Sequence, residues 1–270
     1  MVIDLAQLRV TPGQPVGLAR RDPGDRLGLT GKAEARKQRD ALHDELEELH
    51  ARLWAEAKRS VLLVLQGVDT SGKDGVIRRV FTGLNPQGCS VMSFRAPTTL
   101  ELERDYLWRV HNECPARGRL GVFNRSHYED VVAARVLGIV DDARCRRRFR
   151  HLRDFEQMLV DEGTTVVKVF LNISRDEQRQ RLQARLDDPT KRWKFKLEDL
   201  EARAHWDAHQ SAYEEAITAT STDTAPWWIV PSDRKWVRDV VVATLLLDTL
   251  RRLDPQFPPA DPSLDGVVVE

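Results

Sequence analysis

Gly67-Val68-Asp69-Thr70-Ser71-Gly72-Lys73-Asp74-Gly75 fits G-x-x-x-x-G-K, directly after the apolar run SVLLVLQG (60–67) and at the start of a helical pattern. Such a loop demands a buried strand behind it and a helix N-terminus in front. Its glycines let backbone N–H groups turn toward phosphate oxygens, its Lys supplies a point charge, and the helix adds its positive end. The three fixed positions arise by chance in very roughly one chain in ten of this length, so the setting carries the assignment more than the pattern does. The alternative is an ordinary Gly-rich turn.

The rest of the chain supplies the fold that the loop requires. Short apolar runs recur at CSVMSF (89–94), RLGVFN (119–124), TTVVKVFLNI (164–173) and WWIV (227–230), separated by helical patterns over 73–83, 98–111, 142–161 and 175–186. Alternation of this kind predicts an α/β fold: a mostly parallel five-stranded sheet between helices. Upstream, Leu42, Leu46, Leu49 and Leu53 line one face of a helix over 32–59, preceded by an arm over 1–31 that holds five of the fifteen Gly and three of the thirteen Pro. A last amphipathic helix over 232–253 ends before a Pro-rich tail. The expected organisation is an N-terminal arm and helix (1–59) packed on one domain (60–259), with a separate basic segment near 175–203 and a tail (260–270).

Lys and Arg number 42, as do Asp and Glu, so the formal net charge is zero and a surface given over to nucleic acid is not expected. Three scattered cysteines, Cys89, Cys114 and Cys145, argue against a disulfide framework. No leader pattern opens the chain and no apolar run reaches the roughly 20 residues that span a bilayer. A cytoplasmic protein without membrane contact is therefore expected.

Neutrality hides an uneven distribution. Residues 135–153 hold seven Arg against two Asp, and 175–196 hold eight Lys or Arg against four acids, whereas 198–223 hold seven acids and one Arg. In the second basic segment the helical pattern breaks at Asp187-Asp188-Pro189, and a stretch rich in Lys, Arg and Trp follows. That is the place of a mobile lid in nucleotide kinases. Arg179, Arg181, Arg185, Lys191, Arg192, Lys194 and Lys196 exceed what one nucleotide needs and point to a long polyanion. A solvated helix face is the plainer alternative.

Two positions depart from common phosphate loops. Asp74 stands where nucleoside triphosphatases place a Ser or Thr hydroxyl on Mg²⁺, and Asp69 puts a carboxylate beside phosphates, which suits a divalent cation between them. A turn-capping role is the other reading of Asp69. At the end of the 119–124 strand stand Asn124, Arg125, His127, Glu129 and Asp130. An Arg beside the transferring group and an acid on a metal would serve phosphoryl transfer, and a capped helix start would explain the same residues. His127 reads as structural.

The segments VLLVLQGVDTSGKDGVIRRV, LNPQG, YLWRVHNECPARGRLGVFNRSHYEDVVAARV, DPTKRWKFKLEDLEAR and APWWIVPSDRKW resemble the type-2 polyphosphate kinase family, and most of all its branch that accepts both AMP and ADP. The resemblance runs over about 32–259. It implies a P-loop kinase fold, inorganic polyphosphate as donor, AMP, ADP and ATP as nucleotide partners, and Mg²⁺, with Mn²⁺ as a substitute. By position it implies catalytic roles for Asp69, Lys73, Arg125 and Arg185, with Asp69 and Glu129 on the metal. Substrate contacts are expected from Gly67, Thr70, Ser71, Gly72, Asp74, Gly75, Asn124, Glu129, Asp130, Lys191, Arg192 and Lys194. Asn124 occupies a position that is Asp in other branches. A homo-oligomer is expected. The rivals are an ATP-dependent nucleoside monophosphate kinase and a non-catalytic polyanion- or RNA-binding module.

Overall fold

Five strands, β1 (Ser60–Gln66), β2 (Cys89–Ser93), β3 (Leu120–Asn124), β4 (Thr164–Asn172) and β5 (Trp227–Pro231), form one sheet in the order β2-β3-β1-β4-β5, and every pairing is parallel. This is a computed structural model and describes residues 3–269, so the first two residues of the expected arm and the last of the tail lie outside it. The helices are α1 (Lys32–Glu56), α2 (Lys73–Val80), α3 (Thr99–Leu102), α4 (Trp108–His111), α5 (Ala133–Val136), α6 (Asp142–Asp161), α7 (Arg175–Asp187), α8 (Glu198–Ala204), α9 (Trp206–Thr220) and α10 (Lys235–Leu253). Among the described residues no helix is long and apolar enough to cross a membrane.

Strand β1 is buried along its whole length and sorts its side chains by alternation. Val61, Leu63 and Leu65 join a core with Leu46, Leu49 and Leu53 of α1, Val76 and Val80 of α2 and the apolar face of α10. Leu62 and Val64 face the opposite core, built with Phe149, Leu152 and Phe155 of α6 and Ala212, Tyr213 and Ala216 of α9. Each Val, Leu or Phe side chain among them taken fully from water stabilises the fold by about 1.5–3 kcal/mol.

The chain leaves β1 toward β2 on one side and, after β3, crosses to β4 on the other. The carboxyl ends of β1, β3 and β4 therefore open onto the crevice where a doubly wound sheet binds its ligands.

The arm is an edge cover. Arg9 forms an antiparallel bridge with Trp228, and Val10 N–H donates to the Trp227 carbonyl at 2.8 Å. Ile3, Leu8, Leu27 and Leu29 enter one core while Val10, Val16 and Leu18 enter the other, so the arm straddles the β5 edge. The Trp227 carbonyl, which the edge strand would otherwise present to water or to another chain, is thereby satisfied.

One expected helix differs. Residues 98–111 form two single turns, α3 and α4, because the Asp105 carboxylate accepts from the N–H groups of Leu107 and Trp108 at 3.0 and 3.1 Å and starts the second turn anew.

Candidate active site

The loop between β1 and α2 holds several residues in positive φ: Gly67 at 145°, Thr70 at 65° and Gly72 at 112°. At Gly72 the requirement is also spatial, since a Cβ there would lie 1.7 Å from Arg238 Nη1. Arg238 is buried in α10 and pairs with Asp239, to which Nε and Nη2 donate at 2.9 and 2.6 Å. Its guanidinium thus lies against the loop's turn into α2.

Lys73 opens α2 and is 7% exposed. Its Nζ donates to the carbonyls of Gly67 at 2.6 Å and Val68 at 3.3 Å. Burial, and then the positive charge of Arg125, push its ammonium down to about 8, against the pull of Asp69.

The end of β3 brings the second set of groups to the loop. Arg125, at φ 63°, donates its N–H to the Leu65 carbonyl at 3.0 Å, which seats it beside the end of β1. Its Nη2 donates to Asp69 Oδ1 at 2.5 Å and its Nη1 to Glu129 Oε2 at 3.3 Å, so one guanidinium bridges both acids. Burial favours the neutral form of Asp69, but Arg125, Lys73 and Arg185 outweigh it and hold the carboxyl below its ordinary range. Arg125 is raised in turn, chiefly by Glu129. Asn124 Nδ2 donates to Asp74 Oδ1 at 2.8 Å. Asp69, Arg125 and Glu129 are thus one hydrogen-bonded set and Asn124 and Asp74 another, with the Lys73 charge sensing Asp69, Asp74, Arg125 and Glu129.

Beneath it, the Gln66 amide, oriented so that its oxygen accepts from Ser126 N–H, donates to Glu129 Oε1 at 3.0 Å and to Tyr213 at 3.2 Å. Deeper still, Glu156 and Lys168 are fully buried and joined at 2.6 Å. Tyr128 donates to the same carboxylate at 2.8 Å and His127 Nε2 lies 3.1 Å from it. His127 is thus a member of a core network, as its sequence setting suggested.

Other expected residues lie further out. Asp130 sits between Arg109 at 3.5 Å and Arg148 at 4.0 Å, and burial raises its carboxyl despite both cations. Arg185 faces Asp199 at 3.9 Å. Lys191, Arg192 and Lys194 are exposed, with partners in their own segment: the Asp188 carboxylate for Lys191, the Leu186 carbonyl for Arg192 and the face of the Trp193 ring for Lys194. Arg181, counted above with the lid cations, instead points back to loop carbonyls at Thr70 and Ser71.

The structure adds Gln66, Gln178, Asp199, His209, Tyr213 and Arg238 to the neighbourhood. Of these only Arg238, a cation beside the apolar run of α10, leaves a local mark in the sequence.

Among the described residues no group of three or more His, Cys, Asp or Glu side chains could hold a metal ion. The carboxylates at hand, Asp69 and Glu129 under one guanidinium, fit the way Mg²⁺ binds in phosphoryl-transfer sites, through one or two carboxylates and the substrate's own phosphates.

Comparison with known proteins identifies relatives of the whole chain. The Polyphosphate kinase 2 (PPK2) family model matches residues 30–258. The chain is 49% identical over 267 residues to the AMP/ADP-polyphosphate phosphotransferase of Meiothermus ruber, covering 98% of this chain and 100% of that protein. It is 41% identical over 232 residues to the ADP-polyphosphate phosphotransferase of Rhodopseudomonas palustris, with coverage of 82% and 80%. The crystal structure of polyphosphate kinase 2 from Arthrobacter aurescens superposes with a TM-score of 0.90 at 45% identity, over 94% of this chain and 91% of that one. The fold is therefore the P-loop kinase fold expected from the loop and the strand pattern, and the chain belongs to the polyphosphate kinase 2 family.

Proposed function

We propose that this protein transfers the terminal phosphoryl group of inorganic polyphosphate to AMP and ADP, making ADP and ATP. The observation that carries this reading is the Arg125 bridge between Asp69 and Glu129 beside buried Lys73, in a chain of which 98% matches the Meiothermus ruber enzyme.

Phosphoryl transfer asks a protein mainly to position its reactants and neutralise charge. The acceptor's terminal phosphate oxygen attacks the last phosphorus of the chain in line. The P–O bond behind that phosphorus breaks, and the shortened polyphosphate leaves with the electron pair. The attacking oxygen is already ionised at neutral pH, so no strong general base is needed. Lys73 and the loop from Gly67 to Gly75, with Thr70 and Ser71, hold the donor end. Arg125 and Arg185 meet charge as it develops. A bound Mg²⁺, or Mn²⁺ in its place, held by Asp69 and Glu129, would screen donor phosphates from acceptor phosphates. Asn124, Asp74, Glu129 and Asp130 border the acceptor.

Residues 175–203 act in this reading as the lid, with Lys191, Arg192 and Lys194 as cations that follow the polyphosphate chain and exclude water on closure. The described chain, with an arm and α1 packed on the domain of residues 60–259, works in the cytoplasm as a homo-oligomer. Leu137 and Ile139, each 69% exposed, are apolar surface available to a second copy.

The test is an acceptor screen with polyphosphate as sole donor and Mg²⁺ present, resolved by chromatography. ADP from AMP and ATP from ADP are expected. Turnover with ATP but none with polyphosphate would establish the nucleotide-kinase rival, and salt-sensitive polyanion binding without turnover would establish the binding module.

A further inference from the structure

Two side chains at the root of α7 grip the phosphate loop by its backbone. Gln178 and Arg181 stand three residues apart and so share a helix face. Gln178 is 2% exposed, and its Nε2 donates to the Asp69 carbonyl at 3.2 Å. Arg181 Nη1 donates to the carbonyls of Thr70 at 2.9 Å and Ser71 at 3.2 Å. Three consecutive loop carbonyls are therefore held from one helix.

The remaining donors of Arg181 are occupied as well. Nη2 donates to the carbonyls of Ser232 at 2.6 Å and Asp233 at 2.9 Å, and Nε to Glu177 Oε1 at 2.8 Å. A guanidinium has five N–H donors, and each of these has an acceptor, so nothing is left to offer a phosphate. The α7 N-terminus is fixed to the same segment, because Ser174 N–H donates to Asp233 Oδ1 at 2.7 Å.

Gln178 also looks outward. Its Oε1 accepts from Arg203 Nη1 at 2.9 Å, and the same nitrogen donates to the Arg175 carbonyl at 2.7 Å. Arg203 belongs to α8, on the far side of the Asp187-Asp188-Pro189 break. A continuous hydrogen-bonded path thus runs from α8 through Gln178 to the backbone of Asp69.

We propose that Gln178 and Arg181 are positioning residues, which hold the carbonyls of Asp69, Thr70 and Ser71 away from the phosphate side and couple the segment beyond α7 to the loop acid. A peptide plane whose carbonyl is fixed outward has its N–H on the opposite side, so the grip sets where the loop's donors point. It also stabilises Thr70 in its positive-φ conformation, which a β-branched residue does not favour unaided. Neither residue touches the reacting atoms. The catalytic part of this inference rests on the polyphosphate reaction proposed above.

Arg181→Met would strand four carbonyls and could prevent folding, so the deciding variants are Arg181→Lys, whose ammonium cannot span both carbonyl pairs, and Gln178→Met. Two readouts are taken on the full chain: steady-state kinetics with polyphosphate and ADP, and amide hydrogen exchange of the peptide carrying residues 67–72 without substrate. Expected is a kcat lower by about 10- to 100-fold, with the polyphosphate KM within about threefold, as for loss of orientation rather than of a binding charge. Loop exchange should be faster by about tenfold for both variants, as for a segment that opens locally.

Unchanged exchange and unchanged kcat would overturn the proposal. So would a raised polyphosphate KM at constant kcat in Arg181→Lys, which would make Arg181 a phosphate-binding cation. The exchange arm does not depend on turnover. An unmodified chain that is inactive with polyphosphate refutes the proposed reaction, and exchange alone then decides the grip.

Discussion

Asn124 at the end of β3 donates from Nδ2 to Asp74 Oδ1 at 2.8 Å, an amide and a carboxylate tying β3 to the first turn of α2. Asn124→Asp turns this bond into two facing carboxylates, which cannot both be ionised cheaply without a cation between them. In the presence of a chelator the variant should be less stable at neutral pH than the parent, by about 1–2 kcal/mol. Millimolar Mg²⁺ should then raise its melting temperature more than it raises the parent's. Equal Mg²⁺ responses in thermal melts would show that residue 124 does not border a cation position.

Lys73→Met should lower kcat for polyphosphate-driven ATP formation by about 10²- to 10³-fold, the scale for removing one charge-stabilising donor from a preorganised site. The fold should hold, because the ammonium lost is one that burial penalises. Circular dichroism melts beside the kinetics check both halves; a collapse in melting temperature would move Lys73 from the chemistry to the scaffold.

The same ammonium sets a pH signature. Its pKa is pushed down from the ordinary 10.5 to about 8, so in the free protein the charge is present below that pH and lost above it. Bound phosphate oxygens favour the charged form. Polyphosphate affinity should therefore fall as pH rises past about 8, and binding between about pH 8 and 9 should take up protons. For folding the sign is opposite: the unfolded lysine keeps its proton to about 10.4, so between about 8 and 10 the burial penalty shrinks as pH rises. Titration calorimetry in two buffers of different ionisation enthalpy measures the uptake, and buffer-independent heats would contradict it.

Lys168→Met leaves Glu156 fully buried without its cation, though still beside Tyr128 and His127. Breaking one side of such a pair costs about 3–5 kcal/mol, seen in denaturant unfolding. Since Tyr128 and His127 lie in the turn between Arg125 and Glu129, activity should decline with it. A loss below about 1 kcal/mol would mean that the neighbouring hydroxyl and imidazole satisfy the carboxylate unaided.

What could be read from residue order alone was what repeats or alternates. The strands, the loop and the break at Asp187-Asp188-Pro189 leave periodic or compositional marks, and Asp69, Lys73, Asn124, Arg125 and Glu129 lie next to strand ends where such marks point. The residues it missed act through contacts between distant segments. Gln178 reaches Asp69 across 109 positions, and Arg238 lies 167 from the Ser71 carbonyl it approaches. Arg181 shows the opposite error: a charge read as free for a ligand is consumed by backbone. The restart at Asp105 was hidden because a carboxylate that caps a turn looks, in a charged segment, like any exposed acid.

The bridge between Arg9 and Trp228 also reverses the order of synthesis and the order of docking. The arm is made before the strand it clasps, and it has no edge to hold until β5 is in place. Its placement is therefore a late event, one that closes long-range contacts after the local βα units have formed. Until that moment the β5 edge is open on the nascent or refolding chain, and that is the interval in which a second chain can pair with it.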